Sequence, residues 1–305
     1  MRRYRATVYD SDRWEGFVLR PGDIIISTPP KCGTTWMQMI CALLILQEPD
    51  LSLPLDTLSP WIDMVSRSRT EVFADLEAQT HRRFIKTHTP LDGIPIDPTV
   101  TYICVGRDPR DVALSMDRHI DNMDFDAFVI AREQAAAIDG IELGPLPPRQ
   151  LRPDDERARF WRWVDDETPS TEIGSSLRRT AEHLQTFWDA GGDLDVVFVH
   201  YDELQADLEG QMRRLAARLG LDVDEHRWPH LVQSATFESM RSRADTIVPA
   251  GGPDHWIDPT AFFSRGTSGQ WRHLLDDADL ARYDTRVRLL ASDDLVQWMH
   301  REPTG

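Results

Sequence analysis

The sequence predicts one α/β domain in which helices cover both faces of a central parallel sheet. Short β-branched runs alternate with longer helical stretches along the chain, and this alternation is typical of parallel sheets. The 305 residues are 41% apolar and 28% charged, an ordinary balance for a globular domain of this length. We therefore expect residues 1–305 to form a single domain.

The strands are predicted from four short runs rich in Ile, Val, Phe and Tyr. Each run is bounded by turn residues such as Pro or Gly, or by polar residues, as expected of a buried strand. The predicted strands are residues 23–27, 83–88, 99–105 and 195–200.

Helices are predicted where longer stretches lack Gly and Pro or are amphipathic. They cover residues 35–46, 111–118, 178–188 and 276–300. Two segments read as irregular: residues 140–153 are rich in Pro and acidic residues and predict an exposed loop, and residues 241–269 contain three prolines and two adjacent glycines. A long segment of the second kind in a compact domain is commonly a lid or a binding loop.

The charge balance excludes some partners. The chain carries 34 basic and 51 acidic residues, for a net charge of −17. Such a surface repels nucleic acid and anionic membranes, so we expect no nucleic-acid partner. A polyanionic ligand must then be held by a local cluster of donors.

The cellular compartment is predicted from the cysteines and the apolar runs. The chain has three cysteines, an odd number, and all of them lie in or beside apolar segments: Cys32, Cys41 and Cys104. A disulfide framework is therefore not expected. The N-terminus lacks the apolar core of a secretory signal. The longest apolar run, residues 37–46, is shorter than the roughly 20 residues that span a bilayer, so we expect no integral membrane span and a cytoplasmic protein.

Residues 27–36 join the first strand to the first helix and read S-T-P-P-K-C-G-T-T-W. Such a junction directs backbone N–H groups and the positive end of the helix dipole toward one point. Gly33 permits close backbone approach, Thr34 and Thr35 add hydroxyl donors, and Lys31 adds a cation. The segment predicts a phosphate or sulfate cradle, the alternative being a plain helix start with a solvated lysine. The kinase-type loop G-x-x-x-x-G-K-[ST] is absent, which weakens any claim of ATP or GTP hydrolysis.

Polar residues also follow two other predicted strands. Arg107, after the third strand, offers a planar fork suited to phosphate oxygens, and Ser115 lies one to two turns into the next helix. The alternative for this segment is a capped helix start with a surface arginine. Lys86 and His88 end the second strand two residues apart, so their side chains share a face. Open α/β sheets bind ligands at this end of their strands.

These segments resemble motifs of the cytosolic-type sulfotransferases that use 3′-phosphoadenosine 5′-phosphosulfate (PAPS). Residues 30–36, P-K-C-G-T-T-W, resemble that family's P-K-S-G-T-T-W loop, with Cys32 in place of the serine. Residues 107–115 are similar to its R-[ND]-x-[KR]-D-V-x-x-S element, and residues 86–88 to its K-T-H element. The resemblance spans about residues 20 to 275, with residues 120–176 unmatched.

The C-terminal match departs from the family at two positions. Residues 262–272 resemble the R-K-G-x-x-G-D-W signature that closes over the nucleotide, but Ser264 stands where the first basic residue is usual and Gln270 replaces an aspartate. Arg241 and Arg243 are candidates to supply the missing cation. Weaker matches place Tyr201 near the adenosine and Thr236-Phe237 beside the adenine, with Trp36 on its other face.

The resemblance implies a P-loop-containing nucleotide-binding fold with donor-binding motifs at residues 27–36, 105–115 and 263–272. It implies that His88 is the base on the acceptor hydroxyl and that Lys86 touches the transferring sulfonyl group; Lys31 is assigned to the leaving oxygen. Since two lysines and two helix N-termini can neutralise the charge, we expect no metal. The implied donor-binding residues are Lys31, Cys32, Gly33, Thr34, Thr35, Trp36, Arg107, Ser115, Tyr201, Thr236, Phe237, Arg265 and Gly266.

The acceptor is predicted only by class. Residues 55–75, 119–165 and 240–260 carry no motif and are expected to line its pocket, with Trp61, Phe73, Trp161 and Trp163 as candidate walls. The sequence leaves three classes of acceptor open: a glycolipid, a sugar, and a small alcohol or phenol. The family's dimerisation motif is not legible, so the oligomeric state is unknown. Two other hypotheses stand beside this one: a kinase with a variant phosphate loop, and a nucleotide-binding protein with a dead site.

Overall fold

The computed structural model describes residues 1–144, 146, 151–248 and 255–301. The described chain contains a parallel sheet built from strands β1 (Ile24–Ser27), β2 (Phe84–Thr87), β3 (Thr101–Gly106) and β4 (Val196–His200). The strands pair in the order β2-β1-β3-β4. Each corresponds to a predicted strand, with ends that differ by one or two residues, so the predicted α/β class with a central parallel sheet is confirmed.

The pairing register brings the carboxyl ends of the strands to one edge of the sheet. Ser27 lies opposite Thr87 in the β1–β2 pair, and Gly106 lies opposite His200 in the β3–β4 pair. The loops that follow these residues therefore open on the same side. This edge is where the sequence places its phosphate loop, its lysine–histidine pair and its arginine.

Helices connect and cover the strands. Several begin at side-chain caps; for example, Asp108 accepts from the backbone N–H of Arg110 at the start of the helix that follows β3, with Pro109 at the first position. The helices are α1 (Thr34–Leu46), α2 (Leu55–Leu58), α3 (Arg69–Ala78), α4 (Pro109–Asn122), α5 (Phe125–Asp139), α6 (Glu156–Val164), α7 (Leu177–Ala190), α8 (Tyr201–Ala206), α9 (Leu208–Arg218), α10 (Trp228–Ala235), α11 (Phe237–Ser242), α12 (Ala244–Ile247), α13 (Pro259–Phe262), α14 (Asp277–Val287) and α15 (Asp293–Met299).

The sheet separates two hydrophobic layers, because successive strand side chains point to opposite faces. Ile24 and Ile26 pack with α1, α9 and α10 on one side, whereas Ile25 and Tyr102 pack with α7, α14 and α15 on the other. Helix α1 is buried over most of its length, which explains its nearly continuous apolar sequence. No helix in the described part of the chain is both long and apolar enough to cross a membrane.

Two predicted segments differ from the structure. The predicted helix over residues 276–300 is divided into α14 and α15. Residues 241–269 contain the end of α11 together with α12 and α13, so the prediction of an irregular segment was wrong for these helices; Asp258 caps α13 and Pro259 begins it. Residues 263–269 belong to no helix or strand, as predicted. Pro249 and Pro253 lie outside the described residues. The described residues between 141 and 153 belong to no helix or strand, as predicted.

Candidate active site

The loop between β1 and α1 wraps around the end of the sheet through two left-handed residues. Lys31 has a φ of 68° and Gly33 a φ of 104°. A side chain at residue 33 would place its Cβ 2.9 Å from the ring of Tyr201, so only glycine fits both the conformation and the space. Gly33 is the N-cap of α1 and provides no side-chain cap. The first N–H groups of the helix therefore remain available to an anion.

A cavity of about 470 Å³ opens beside this loop. It collects most of the site residues that the sequence predicts, from six separate parts of the chain. Those that line it are Lys31, Gly33, Thr34, Thr35, Trp36, Lys86, His88, Arg107, Ser115, Tyr201, Phe237, Arg265 and Gly266.

Two predicted site residues lie outside the cavity wall. Cys32 is fully buried, and burial raises the pKa of its thiol to about 12. The hydroxyl of Thr236 donates to the carbonyl of Gln233 and accepts from the backbone N–H of Ser239, which caps α11. The loss of the family's serine hydroxyl at residue 32 therefore removes nothing from the wall of the cavity.

His88 lies at the end of β2 with its imidazole oriented by the main chain. Its Nδ1 is 2.7 Å from the carbonyl oxygen of Thr28. A carbonyl can only accept, so Nδ1 carries the hydrogen and Nε2 keeps its lone pair. Desolvation, together with the charge of Lys86, lowers the pKa of His88 well below its ordinary value. The side chain is a neutral imidazole that can accept a proton at Nε2.

Lys31 extends into the cavity among other cations. Its Nζ lies 3.2 Å from Nδ1 of His119 and 4.4 Å from the ring centre of Phe262. Desolvation lowers the pKa of Lys31 to about 7, and the charges of Arg107, Lys86 and Arg118 add to this shift. An anion bound beside the ammonium would reverse the shift, since opposite charge favours the protonated form.

Lys86 is fixed by the strand and by the segment beside it. Its Nζ lies 4.3 Å from the ring centre of Trp61, and desolvation lowers its pKa to about 8 against the opposing charge of Asp63. The buried Asp63 carboxylate accepts hydrogen bonds from the hydroxyls of Thr87 and Thr89 and from the indole of Trp61. These contacts hold the lysine–histidine segment rigidly at the cavity.

Arginines gather at one end of the cavity, beside the phosphate loop, where a terminal nitrogen of Arg107 donates 3.4 Å to the carbonyl of Lys31. The Arg107 guanidinium is buried, lies 4.2 Å from the ring centre of Tyr201, and donates 3.1 Å to the carbonyl of Thr267. Its Nε has no hydrogen-bond partner among the described residues. Arg118 and Arg265 line the same cavity. Within the described chain, none of these three guanidiniums forms an ion pair with a carboxylate.

The segment over residues 263–272 is tied to this end of the cavity. The Asp111 carboxylate accepts from the backbone N–H groups of Gly269 and Gln270 at 2.7 and 2.9 Å. Gly266 has a φ of 62°, and a Cβ there would lie 2.6 Å from the Phe237 ring. The unpartnered Nε of Arg107 fits an anionic ligand, because buried donors without partners are rare unless a ligand satisfies them.

The remaining walls are mainly apolar and include residues that the sequence analysis missed. The motif-free segments 55–75, 119–165 and 240–260 all contribute, with Trp61 and Trp163 among the lining side chains. Trp161 instead bonds Asp279, and Phe73 packs on Phe17, so neither lines the cavity. The lining residues outside every predicted motif and segment include Ala6, Thr7, Val8, Tyr9 and Arg118. Inside those segments, the sequence analysis did not single out Met64, His119, Met123, Phe128, Trp256 and Phe262. Among the residues described here, no cluster of His, Cys, Asp or Glu is arranged to hold a metal ion.

Comparison with known proteins agrees with this site. A family model described as the sulfotransferase domain matches residues 21–302. The chain is 41% identical over 312 residues to a glycolipid sulfotransferase of Mycobacterium bovis, covering 99% of this chain and 95% of that protein, and a Mycobacterium tuberculosis glycolipid sulfotransferase gives the same values. The crystal structure of mouse sulfotransferase SULT7A1 complexed with PAP matches with a TM-score of 0.67 at 20% identity, covering 93% of this chain and 90% of that chain.

The chain belongs to the sulfotransferase domain family. It is therefore a sulfotransferase, and the predicted membership of the sulfotransferase family is confirmed. The structural match supports the α/β fold with its central parallel sheet.

Proposed function

We propose that this chain transfers a sulfonyl group from PAPS to a hydroxyl of a glycolipid. The observation that carries the proposal is one continuous cavity that contains a neutral histidine, two lysines and three arginines beside the phosphate loop. Among the described residues, none of the three arginines forms an ion pair with a carboxylate. The relatives named glycolipid sulfotransferases, which align over nearly the whole chain, support this acceptor class.

The donor fits the polar half of the cavity. The phosphate loop and the first turn of α1 would hold the 5′-phosphosulfate, and Arg107 with Ser115, Arg265 and Gly266 would hold the 3′-phosphate. When bound, PAPS supplies a sulfonyl group on a phosphate leaving group. Trp36 and Phe237 line the cavity and offer aromatic faces to the adenine. Tyr201 supports this end by packing 5.4 Å from Trp36, measured between ring centres.

His88 serves as the general base on the acceptor. Its Nδ1 hydrogen is committed to the carbonyl of Thr28, so Nε2 is the atom that takes the proton from the attacking hydroxyl. Buried and neutral, the imidazole keeps this capacity well below neutral pH. Arg179 donates 2.9 Å to the carbonyl oxygen of His88 and so positions the residue from behind.

The two lysines stabilise the negative charge on the leaving oxygen and on the sulfonyl oxygens during the transfer. Lys31 lies in the phosphate loop and neutralises the leaving oxygen, while Lys86 faces the cavity from β2 and neutralises the sulfonyl oxygens. Both ammonium groups are desolvated, which strengthens their interaction with an anion. Two cations and a helix N-terminus therefore supply the charge that a metal ion supplies in phosphoryl transfer, and we expect catalysis without added metal.

The acceptor half of the cavity suits a ligand with both a hydroxyl and an apolar part. Met64, Met123, Phe128, Trp61 and Trp163 line it. An aromatic and thioether surface stacks against sugar faces and accepts acyl chains. A cytoplasmic location is part of the proposal, since the free cysteines Cys32, Cys41 and Cys104 are all buried as thiols.

The acceptor class is tested by product analysis. The purified protein is incubated with PAPS and, separately, a glycolipid, the free sugar of that lipid, and a simple phenol, and products are identified by mass spectrometry. We expect a mass gain of one SO₃ unit on the glycolipid with the highest kcat/KM. Higher kcat/KM on the phenol, or on the sugar without its lipid, would overturn the acceptor assignment while leaving the donor assignment intact.

A further inference from the structure

Ser264 and Gln270 both depart from the family pattern, and both contact the same side chain. Nε of Arg118 donates 2.7 Å to the hydroxyl oxygen of Ser264. A terminal nitrogen of the same guanidinium donates 2.8 Å to the side-chain oxygen of Gln270. Arg118 therefore contacts both positions at which the 263–272 segment departs from the family pattern.

The partners of Arg118 orient it without neutralising it. A serine hydroxyl and a glutamine amide are uncharged acceptors, so neither hydrogen bond pairs the guanidinium with an opposite charge. Arg118 lies one turn beyond Ser115 on α4, so both residues face the cavity from the same side of the helix. Arg107, Arg118 and Arg265 line the same cavity. Desolvation lowers the pKa of Arg118, the charges of Arg265 and Arg107 add to this shift, and the charges of Glu156 and Asp117 oppose it. The repulsion between the arginines is relieved when an anion binds among them.

The two other arginines considered from the sequence are engaged elsewhere. Arg243 donates to the carbonyls of Pro49 and Ser234 at 3.2 and 2.7 Å, and so fixes the local chain. Arg241 is exposed and near Asp258, and neither arginine lines the cavity. The expectation that one of them replaces the missing cation is therefore not supported by their positions.

We propose that Arg118 binds the 3′-phosphate of the donor in place of a basic residue at position 264, with Ser264 and Gln270 as its positioning residues. This inference rests on the proposed function, because it assigns one phosphate of PAPS to a named side chain. The reacting end of the donor is already served by Lys31, Lys86 and His88. The 3′-phosphate is then the anionic group of the donor that remains for Arg107, Arg118 and Arg265 to bind.

The test separates the 3′-phosphate from the rest of the nucleotide. Binding of adenosine 3′,5′-bisphosphate and of adenosine 5′-monophosphate is measured by calorimetry for the wild type and for Arg118→Ala. Charge-assisted hydrogen bonds to a phosphate predict a loss of about 10- to 100-fold for the bisphosphate. The affinity for the monophosphate, which lacks the 3′-phosphate, should change less than about twofold.

Three further variants control the experiment. Arg118→Lys keeps the charge and should retain most of the bisphosphate affinity, which guards against a folding defect in the alanine variant. Adding Ser264→Lys to Arg118→Ala restores a cation at this end and should recover most of the loss. Arg241→Ala removes an exposed arginine nearby and should leave both affinities unchanged.

The outcomes distinguish this inference from the proposed function. Bisphosphate affinity that is unchanged in Arg118→Ala, or that falls equally for both nucleotides, overturns the role of Arg118 alone. A wild type that binds neither nucleotide, or binds both equally, overturns the assignment of the donor and this inference with it.

Discussion

At the scale of single residues, burial sets the charge state of the catalytic groups. His88, Lys31 and Lys86 are surrounded by protein, and desolvation is the first cause of the lowered pKa of each. The same physical effect has opposite uses in the two residue types. A histidine that resists protonation is an available base, whereas a desolvated lysine gains strongly from an anion that restores its charge.

The role of His88 is tested by substitution with an uncharged residue of similar size. His88→Gln removes the basic Nε2 while keeping an amide that can bond Thr28. We expect kcat to fall about 10²- to 10⁴-fold, with the Kd for adenosine 3′,5′-bisphosphate unchanged. Steady-state kinetics and calorimetry give both values. A kcat within a few-fold of wild type would show that another group takes the proton.

Donor affinity should depend on pH through Lys31. The pKa of Lys31 is about 7 without an anion, and a bound anion raises it, so binding takes up a proton near neutral pH. Affinity for the bisphosphate is then highest below about pH 7 and falls as the pH rises through that value. Calorimetric titrations from about pH 6 to about pH 9 measure this slope.

Lys31→Arg is the matched control for this pH dependence. The guanidinium stays charged throughout the range, so its profile should be flatter than that of the wild type. Lys86, with a pKa of about 8, titrates in both proteins, and the difference between the two profiles isolates Lys31. Parallel profiles would contradict a direct contact between Lys31 and the donor.

Sequence reasoning located residues that belong to motifs and missed those between motifs. Lys31, His88 and Arg107 follow strand ends, where ligand binding is expected from topology. Arg118 and His119 lie inside an ordinary amphipathic helix, and their approach to the cavity depends on how α4 packs. The one sequence signal for Arg118 was its position three residues after Ser115, which places both side chains on the same side of a helix.

At the scale of elements, the local sequence was enough to predict the strands but not the ends of every helix. Four β-branched runs bounded by turn signals became β1 to β4; every residue of β1, β2 and β3 is buried, whereas the first three residues of β4 are partly buried. The break between α14 and α15 was not foreseen, since its residues keep an amphipathic pattern and contain neither Gly nor Pro. The phosphate loop was predicted because its chemistry requires a glycine at a strand–helix junction.

Gly33→Ala tests whether that loop must keep its shape. The new Cβ combines a positive φ with a 2.9 Å approach to Tyr201, so the loop has to move. We expect binding of the bisphosphate to be lost or weakened at least about tenfold, together with a destabilisation of about 1–2 kcal/mol. Calorimetry and urea unfolding measure the two effects.

Gly16→Ala is the matched control for backbone strain. Gly16 has a φ of 81°, and no atom of the described residues lies within 4 Å of an added Cβ. The control should cost similar stability and leave nucleotide binding unchanged. Equal loss of binding in both variants would mean that general destabilisation, and not the shape of the loop, explains the effect.

At the scale of the whole molecule, the N-terminal segment lines the cavity and also supports the catalytic base through Arg179. Tyr9 is buried and its hydroxyl accepts from the fully buried guanidinium of Arg179, at 2.9 and 3.1 Å. Arg179 in turn holds the carbonyl of His88. No local pattern predicts this chain of contacts, because it joins residues more than 75 positions apart along the sequence.

Tyr9→Phe tests this long-range support. Removing the hydroxyl leaves a buried cation short of an acceptor, which should cost about 1–3 kcal/mol in the free energy of unfolding. Because Arg179 also positions His88, we expect kcat to fall as well, with little change in nucleotide affinity. Urea unfolding and steady-state kinetics on the same preparation provide the comparison.

Tyr283→Phe supplies the control for the loss of a buried hydroxyl. Tyr283 is equally buried but contacts His300, within the hydrophobic layer built on α14 and α15. This variant should lose stability without losing kcat. A parallel fall of kcat in both variants would contradict the specific link from Tyr9 to the catalytic base.

The central claim, that this cavity moves a sulfonyl group from PAPS and not a phosphoryl group from ATP, is tested most directly by offering both donors at once. PAPS carrying radioactive sulfur and ATP carrying radioactive γ-phosphorus are mixed with the protein and a glycolipid, with magnesium or with a chelator. We predict that only sulfur label enters the lipid, at the same rate in both conditions. Phosphorus label in the lipid, appearing only with magnesium, would contradict the account.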